Sequence, residues 1–241
     1  MHSDDPARTI RELIGTREPS LPKVKICGIT NLDDARAAID AGADMLGFNF
    51  YLPSPRYIQP DAAREIITAL RTLNSRITMV GIFVNESLEN VIKVAEQTGL
   101  DAIQLHGDET VEYCRQLRAQ APARLIFKVI DANGATGVPE WRLSPADAFM
   151  VDAHDPNLRG GTGRTADWTF AREAAGQLPR LFLAGGLSPE NVAEAINAVG
   201  PYAVDACSAL EISPGKKDPA RMKEFVAAVR ASKLSGEAIA E

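Results

Sequence analysis

The stretch that decides the fold is Ile77–Leu105, ITMVGIFVNESLENVIKVAEQTGLDAIQL. It opens on ITMVGIF, an apolar run short enough and rich enough in Ile, Val and Phe to read as a strand. Ser87 then stands where a helix N-cap belongs, and Asn90 stands where Glu or Gln would complete a capping box. A helical pattern follows and stops at Gly99, the residue type that accepts the left-handed turn ending a helix. The chain at once enters another apolar run, DAIQL. Strand, helix and strand joined by short links make a βαβ unit, whose strands are parallel.

The unit recurs in both directions. VKIC, DMLGF, ITMVGIF, DAIQL, RLIFKVI, DAFMVD, LFLAG and YAVDAC are eight such runs, suited to strands buried on both faces. NLDDARAAIDAGA follows the first, with Thr30 as its expected N-cap. PDAAREIITALRTL follows the second and opens on Pro60, placed where a helix start tolerates proline. DETVEYCRQLRA, DWTFAREAAGQ, SPENVAEAINAVG and DPARMKEFVAAVRAS follow the fourth, sixth, seventh and eighth, with Gly200 as a further stop. Only the fifth connection, DANGATGVPEWRLSP, carries too much Gly and Pro to predict a full helix. An open doubly wound sheet reads the same way, but eight strands in this length favour a closed (β/α)8 TIM barrel in a single domain. We expect the barrel over residues 22–232, a loosely ordered extension over 1–21 and a tail over 233–241.

Composition narrows the function. The 241 residues are 45% hydrophobic and carry a net charge of -6, which argues against a broad basic surface for nucleic acid. Cys27, Cys114 and Cys207 are widely spaced without a CxxC, which suits a reducing compartment and neither a disulfide framework nor a zinc site. No apolar run approaches the roughly 18 residues of a membrane span. The N-terminus, MHSDDPARTIRELIGTREPS, lacks the apolar core of a signal peptide. The expectation is a cytoplasmic protein, monomer or homodimer, with no metal and no cofactor.

In such a barrel the reactive groups gather at the C-terminal ends of the strands. The first strand ends in Cys27, either a general base or a small apolar filler. The second runs into a loop holding Arg56 behind two prolines, a fork for a carboxylate or a surface residue. The fourth brings Gln104 and His106 to the rim, and the sixth ends in Asp152, an acid or a capping residue. Gly185 and Gly186 after the seventh strand, with Ser208 after the eighth, read as a phosphate cradle or as a plain tight turn. The glycine-rich LRGGTGRTADW, with Gly163, reads as a lid or a connector. Cys114 and Cys207 read as packing residues, as do Trp141 and Trp168, and His154 has no assigned role. A base and an acid facing each other across a barrel mouth suit proton transfer on a small phosphorylated molecule, such as an isomerisation.

KICGIT, GFNFYLPSPRYI, VGIFVN, QLHGDE, GGTGRTADW, LAGGLSPENV and SPGKKD occur here in one order, and together they closely resemble the phosphoribosylanthranilate isomerases of tryptophan biosynthesis. The resemblance covers about residues 22–230. It implies Cys27 as general base, Asp152 as general acid and Arg56 as the holder of the anthranilate carboxylate. It adds Gln104, His106 and Asp205 as substrate-binding residues, and Gly163, Gly185, Gly186, Ser208 and Ala209 as phosphate-binding residues. The implied reaction is an Amadori rearrangement that needs no cofactor, because the iminium formed on ring opening is itself the electron sink. One block departs from the family: CSALE stands where it usually has SSG, so Ala209 replaces a glycine and Leu210 a valine. A positive φ at that glycine would make Ala209 cost about a kcal/mol or more. Two other readings remain. A related aminoaldose isomerase of histidine biosynthesis resembles this chain in the phosphate loops but uses aspartate where Cys27 stands. A weakened, ligand-binding paralogue has Ala209 as its only support.

Overall fold

The computed structural model describes residues 21–72, 76–130, 138–152 and 168–232. Eight strands alternate with helices: β1 (Lys23–Ile26), α1 (Leu32–Ala41), β2 (Met45–Asn49), α2 (Pro60–Thr72), β3 (Thr78–Phe83), α3 (Leu88–Thr98), β4 (Ala102–Leu105) and α4 (Val111–Gln120). The series continues with β5 (Leu125–Ile130), α5 (Val138–Trp141), β6 (Ala148–Asp152), α6 (Trp168–Gln177), β7 (Leu181–Ala184), α7 (Val192–Val199), β8 (Ala203–Ala206) and α8 (Pro219–Ala231). The strands are parallel, lie in chain order and close β8 back onto β1. The open-sheet alternative is thereby excluded.

Closure gives every strand an inner and an outer face with period two. Outward residues such as Val24, Ile26, Val204 and Ala206 join the buried layer under the helices. Inward residues such as Met45, Val80, Phe127, Met150, Phe182 and Ala203 fill the barrel with a second apolar cluster. At the N-terminal end a repeated device fixes the strands. Asp44, Asp101 and Asp147, each just before an even-numbered strand, accept from the backbone N–H of Val24, Met79 and Ile126 in the strand before, at 2.8–2.9 Å. Arg230, Arg71 and Arg118 pair with the same three carboxylates. This end is built for rigidity, which leaves the opposite end for chemistry.

Ser87 caps α3 by accepting from Asn90 N, and Gly99 and Gly200 end their helices at φ 74° and 63°. The first helix differs from expectation. Asn31, not Thr30, is the N-cap, because its amide oxygen accepts from Asp34 N at 2.8 Å. Thr30 instead donates its hydroxyl to the carbonyl of Gly215. That bond ties the first loop to a feature absent from the sequence reading. After β8 the chain makes a single 3-10 turn, Ser208–Leu210, and a small hairpin of β9 (Glu211–Ser213) and β10 (Lys216–Lys217). Among the described residues the fifth helical segment is a single turn, Val138–Trp141.

Candidate active site

The pleat decides which residues face the mouth. Lys25 on β1 points inward with its side chain fully buried, and so Cys27, two residues on, points inward at the rim. On β8 the same alternation turns Asp205 and then Cys207 inward. The register pairs Lys25 with Asp205 and Ile26 with Ala206, and Cys27 N continues the ladder by donating to Ala206 O at 3.0 Å. Cys27 and Cys207 are therefore side by side. The packing residue expected at Cys207 is instead the neighbour of the candidate base.

Below these thiols Lys25 donates to Asp205 at 2.8 Å, with side chains 0% and 8% exposed. Burial pushes the Asp205 carboxyl up to about 7, against the pull of the Lys25 ammonium. Burial alone would lower Lys25, but Asp205 together with Cys27 and Cys207 more than offsets it, and the ammonium is held above its usual range. The second Asp205 oxygen has no hydrogen-bond partner among the described residues. Asp205 thus lies under the mouth, committed through one oxygen to Lys25. Beside the thiols Lys217 reaches in from the hairpin, 2.9 Å from Glu211 Oε1 and 3.7 Å from Cys207 Sγ.

These groups set the protonation of the pair. The neighbouring Cys207 thiol holds Cys27 well below the ordinary thiol range. Burial opposes this, while the charges of Lys25 and Lys217 add to it. Cys207, beside the Cys27 sulfur and buried, moves the other way, well above that range. Cys114, fully buried on α4, is a packing thiol whose burial raises its pKa.

From the far side of the barrel β6 delivers Asp152 to the same mouth. His106 Nε2 lies 3.6 Å from Asp152 Oδ2, and Gln104 Nε2 lies 3.0 Å from His106 Nδ1. With the Gln104 amide donating, Nδ1 accepts and the ring proton faces Asp152. Gln104 and His106 thus act as a brace behind the carboxyl. No cluster of three His, Cys, Asp or Glu among the described residues is arranged to hold a metal ion.

Arg56 crosses over the end of β1. An added Cβ on Gly28 would lie 2.8 Å from Arg56 Cδ and 2.9 Å from Cys207 Sγ, and Gly28 sits at φ 79°. Glycine is required there on both counts. The guanidinium then pairs with Glu211, with Nε 2.9 Å from Oε1 and Nη2 2.7 Å from Oε2. The sequence offers this fork to a carboxylate. One edge is taken by Glu211, and the Nη1–Nη2 edge is left for a ligand. On β7's exit Gly185 and Gly186 take φ 91° and 64°, and a Cβ on Gly186 would meet nothing within 4 Å. Consecutive left-handed residues turn backbone N–H groups to one side, beside open space that suits an anion. Ser208, exposed, and Ala209 open the 3-10 turn on the next strand's exit. Ala209 has no positive φ, so the strain feared there is absent. Gly163 and His154 lie outside the described residues.

Lys25, Glu211, Lys217 and Cys207 were missed as site residues. The signal for one set was present: Lys25-Ile26-Cys27 and Asp205-Ala206-Cys207 have matching period-two patterns, which meet only once the barrel closes.

A closed (β/α)8 barrel with an inward thiol and carboxyl at its C-terminal mouth has the layout of a TIM-barrel enzyme. The family model for N-(5'phosphoribosyl)anthranilate (PRA) isomerase matches residues 24–228. An N-(5'-phosphoribosyl)anthranilate isomerase from Citrifermentans bemidjiense is 46% identical over 207 residues, covering 86% of this chain and 96% of the relative. The crystal structure of phosphoribosyl anthranilate isomerase from Thermotoga maritima is 40% identical, with a TM-score of 0.77, covering 87% of this chain and 98% of that one. A solved isomerase in complex with reduced 1-(o-carboxyphenylamino)-1-deoxyribulose 5-phosphate is 36% identical, with a TM-score of 0.72 and coverage of 87% and 98%. The chain belongs to the N-(5'-phosphoribosyl)anthranilate isomerase family.

Proposed function

We propose that this chain converts N-(5-phosphoribosyl)anthranilate to 1-(2-carboxyphenylamino)-1-deoxyribulose 5-phosphate in tryptophan biosynthesis, with Cys27 as base and Asp152 as acid. The family supports the reaction, and the relative holding a reduced product supports the ligand. The observation that carries the residue roles is an asymmetry. Lys25 and Lys217 stand behind the thiol of Cys27, whereas Asp152 ends β6 across the mouth, with His106 Nε2 3.6 Å away and Gln104 behind the ring. The cations favour a thiolate on one side of the mouth, and a carboxyl faces it from the other.

Asp152 protonates the ring oxygen of the ribose, and the furanose opens to a protonated Schiff base. The Cys27 thiolate then takes the proton from C2, and the electron pair moves into the iminium. The resulting enolamine tautomerises to the aminoketose. The N–H groups around Gly185, Gly186, Ser208 and Ala209 hold the phosphate, with Gly163 expected to join them. The outer edge of Arg56 meets the anthranilate carboxylate, and the enzyme works in the cytoplasm as a monomer or homodimer.

The test is loss of anthranilate fluorescence on freshly made substrate, run on the native chain and on Cys27→Ser. Turnover by the first and its near-loss in the second supports the reading. Failure of the native chain to act on this substrate overturns the reaction, and full turnover by Cys27→Ser overturns the base.

A further inference from the structure

We propose that Cys27 and Cys207 form a reversible disulfide, a covalent-modification site closed by a peroxide-class oxidant and reopened by a small thiol. The argument starts from the ladder. Cys27 and Cys207 each directly follow the last paired rung, Ile26 with Ala206, of hydrogen-bonded parallel strands, and Cys27 N still donates to Ala206 O. Neighbouring strands are spaced by about 4.8 Å, inside the Cα separation of roughly 4.4–6.8 Å that a disulfide spans. The side chains converge on the correct face. One inward rung lower on these same strands, Lys25 and Asp205 meet at 2.8 Å. The Cys207 sulfur already leans over β1, since a Cβ on Gly28 would lie 2.9 Å from it. Both thiols are partly exposed, whereas Cys114 is buried and on another element.

The chemistry runs in two steps. The Cys27 thiolate attacks one oxygen of the peroxide; an S–O bond forms as the O–O bond breaks. Cys27 sulfur is oxidised to a sulfenic acid, and the peroxide is reduced to water or an alcohol. Cys207 then gives up its proton, and its sulfur attacks the Cys27 sulfur. An S–S bond forms, the S–O bond breaks, and the hydroxide leaves with the proton as water. Glu211 Oε1, 3.8 Å from Cys207 Sγ, and Lys217 Nζ, 3.7 Å from it, are the groups that attend this proton loss. Two equivalents of a thiol reverse the bond by exchange. The neighbour that favours the Cys27 thiolate is thus also its resolving thiol. It keeps Cys27 from passing on to the sulfinic acid, which a thiol cannot restore.

The proposal stands on strand register, not on the catalytic role of Cys27, and its test reads the bond directly. The intact protein is titrated with hydrogen peroxide, quenched with an alkylating agent and analysed by mass and by peptide mapping. The expected result is a loss of two hydrogens, a linked Cys27–Cys207 peptide pair, and two free thiols restored by dithiothreitol. In Cys207→Ser the pair does not form, Cys27 gains oxygen up to the sulfinic acid, and dithiothreitol no longer restores its thiol. Oxygen uptake at Cys27 of the native protein with no linked peptide overturns the proposal, and that arm needs no variant. Thiol recovery in Cys207→Ser equal to the native protein overturns it as well. A chain that lacks isomerase activity yet forms the linked pair refutes the proposed reaction and leaves this site intact.

Discussion

Arg56 and Glu211 form a two-point ion pair across the barrel mouth, with Nη2 2.7 Å from Oε2 and Nε within 3.1 Å of both oxygens. Glu211 also takes the Lys217 ammonium at 2.9 Å. One carboxylate therefore anchors two cations, one of them fully buried. Burial would raise the Glu211 carboxyl, but Arg56 and Lys217 together hold it below its usual range.

Replacing Glu211 with Gln strands both cations. Removing one member of a buried pair costs on the order of 3–5 kcal/mol. The pH dependence has a definite sign. A depressed folded-state pKa adds stability that is present above the ordinary carboxylate range and is lost as pH falls through the folded value. The stability gap between the native chain and Glu211→Gln should be large at neutral pH and narrow in acid. Urea denaturation at both pH values checks it; a gap that does not change with pH would show that the charge of Glu211 is not what stabilises.

Cys27→Ser and Asp152→Asn should each keep the fold and phosphate binding while losing turnover by about a hundred- to ten-thousandfold, the usual contribution of a general acid or base. Single-turnover kinetics is the readout, since it isolates the chemical step. Near-normal chemistry in either variant removes that residue from its role. Arg56→Met should raise the Michaelis constant, because the anthranilate carboxylate loses its partner; unchanged constants would count against the clamp.

Lys217 and Cys207 bear on the acid limb of activity. In the proposed mechanism Cys27 works as a thiolate, so its depressed pKa should extend activity toward low pH. Lys217→Met and Cys207→Ala should each shift the midpoint of Cys27 alkylation by iodoacetamide, and the acid limb of kcat/KM, to higher pH. A midpoint that stays in place in both variants would mean that neither group sets the thiolate.

How much of this was legible in the sequence follows from the range of each signal. Ser87, Gly99 and Gly200 were readable because caps act over a few residues. Thr30 and Asn31 were confused because both types cap, and only the backbone turn at Asn31 decides between them. The hairpin at Glu211–Lys217 is short and polar, without the alternation that marks a strand. Cys27 and Asp152 stand out as polar ends of apolar runs, and Arg56 as a cation held in a loop behind two prolines. The adjacency of Cys27 and Cys207 does not, because it joins the first strand to the last and exists only in the closed barrel.

The turn holding Ala209 carries the last prediction. Ala209 lies inside the 3-10 turn Ser208–Leu210 and is absent from the residues at positive φ. Its backbone is one that alanine adopts freely, and its carbonyl accepts from Arg221 Nε at 3.3 Å. The opening N–H groups of a helical turn have no partner within the turn, whatever the side chain. An alanine there keeps the same N–H that a glycine would offer to phosphate. Ala209→Gly should therefore leave phosphate affinity within about a few-fold and lower stability by about 0.4–1 kcal/mol, because glycine gives the unfolded chain more freedom. Inhibition by inorganic phosphate and thermal unfolding of both forms are the measurements. A gain in phosphate affinity of about tenfold or more, worth roughly 1.4 kcal/mol, would mean that the Cβ of Ala209 crowds the bound anion.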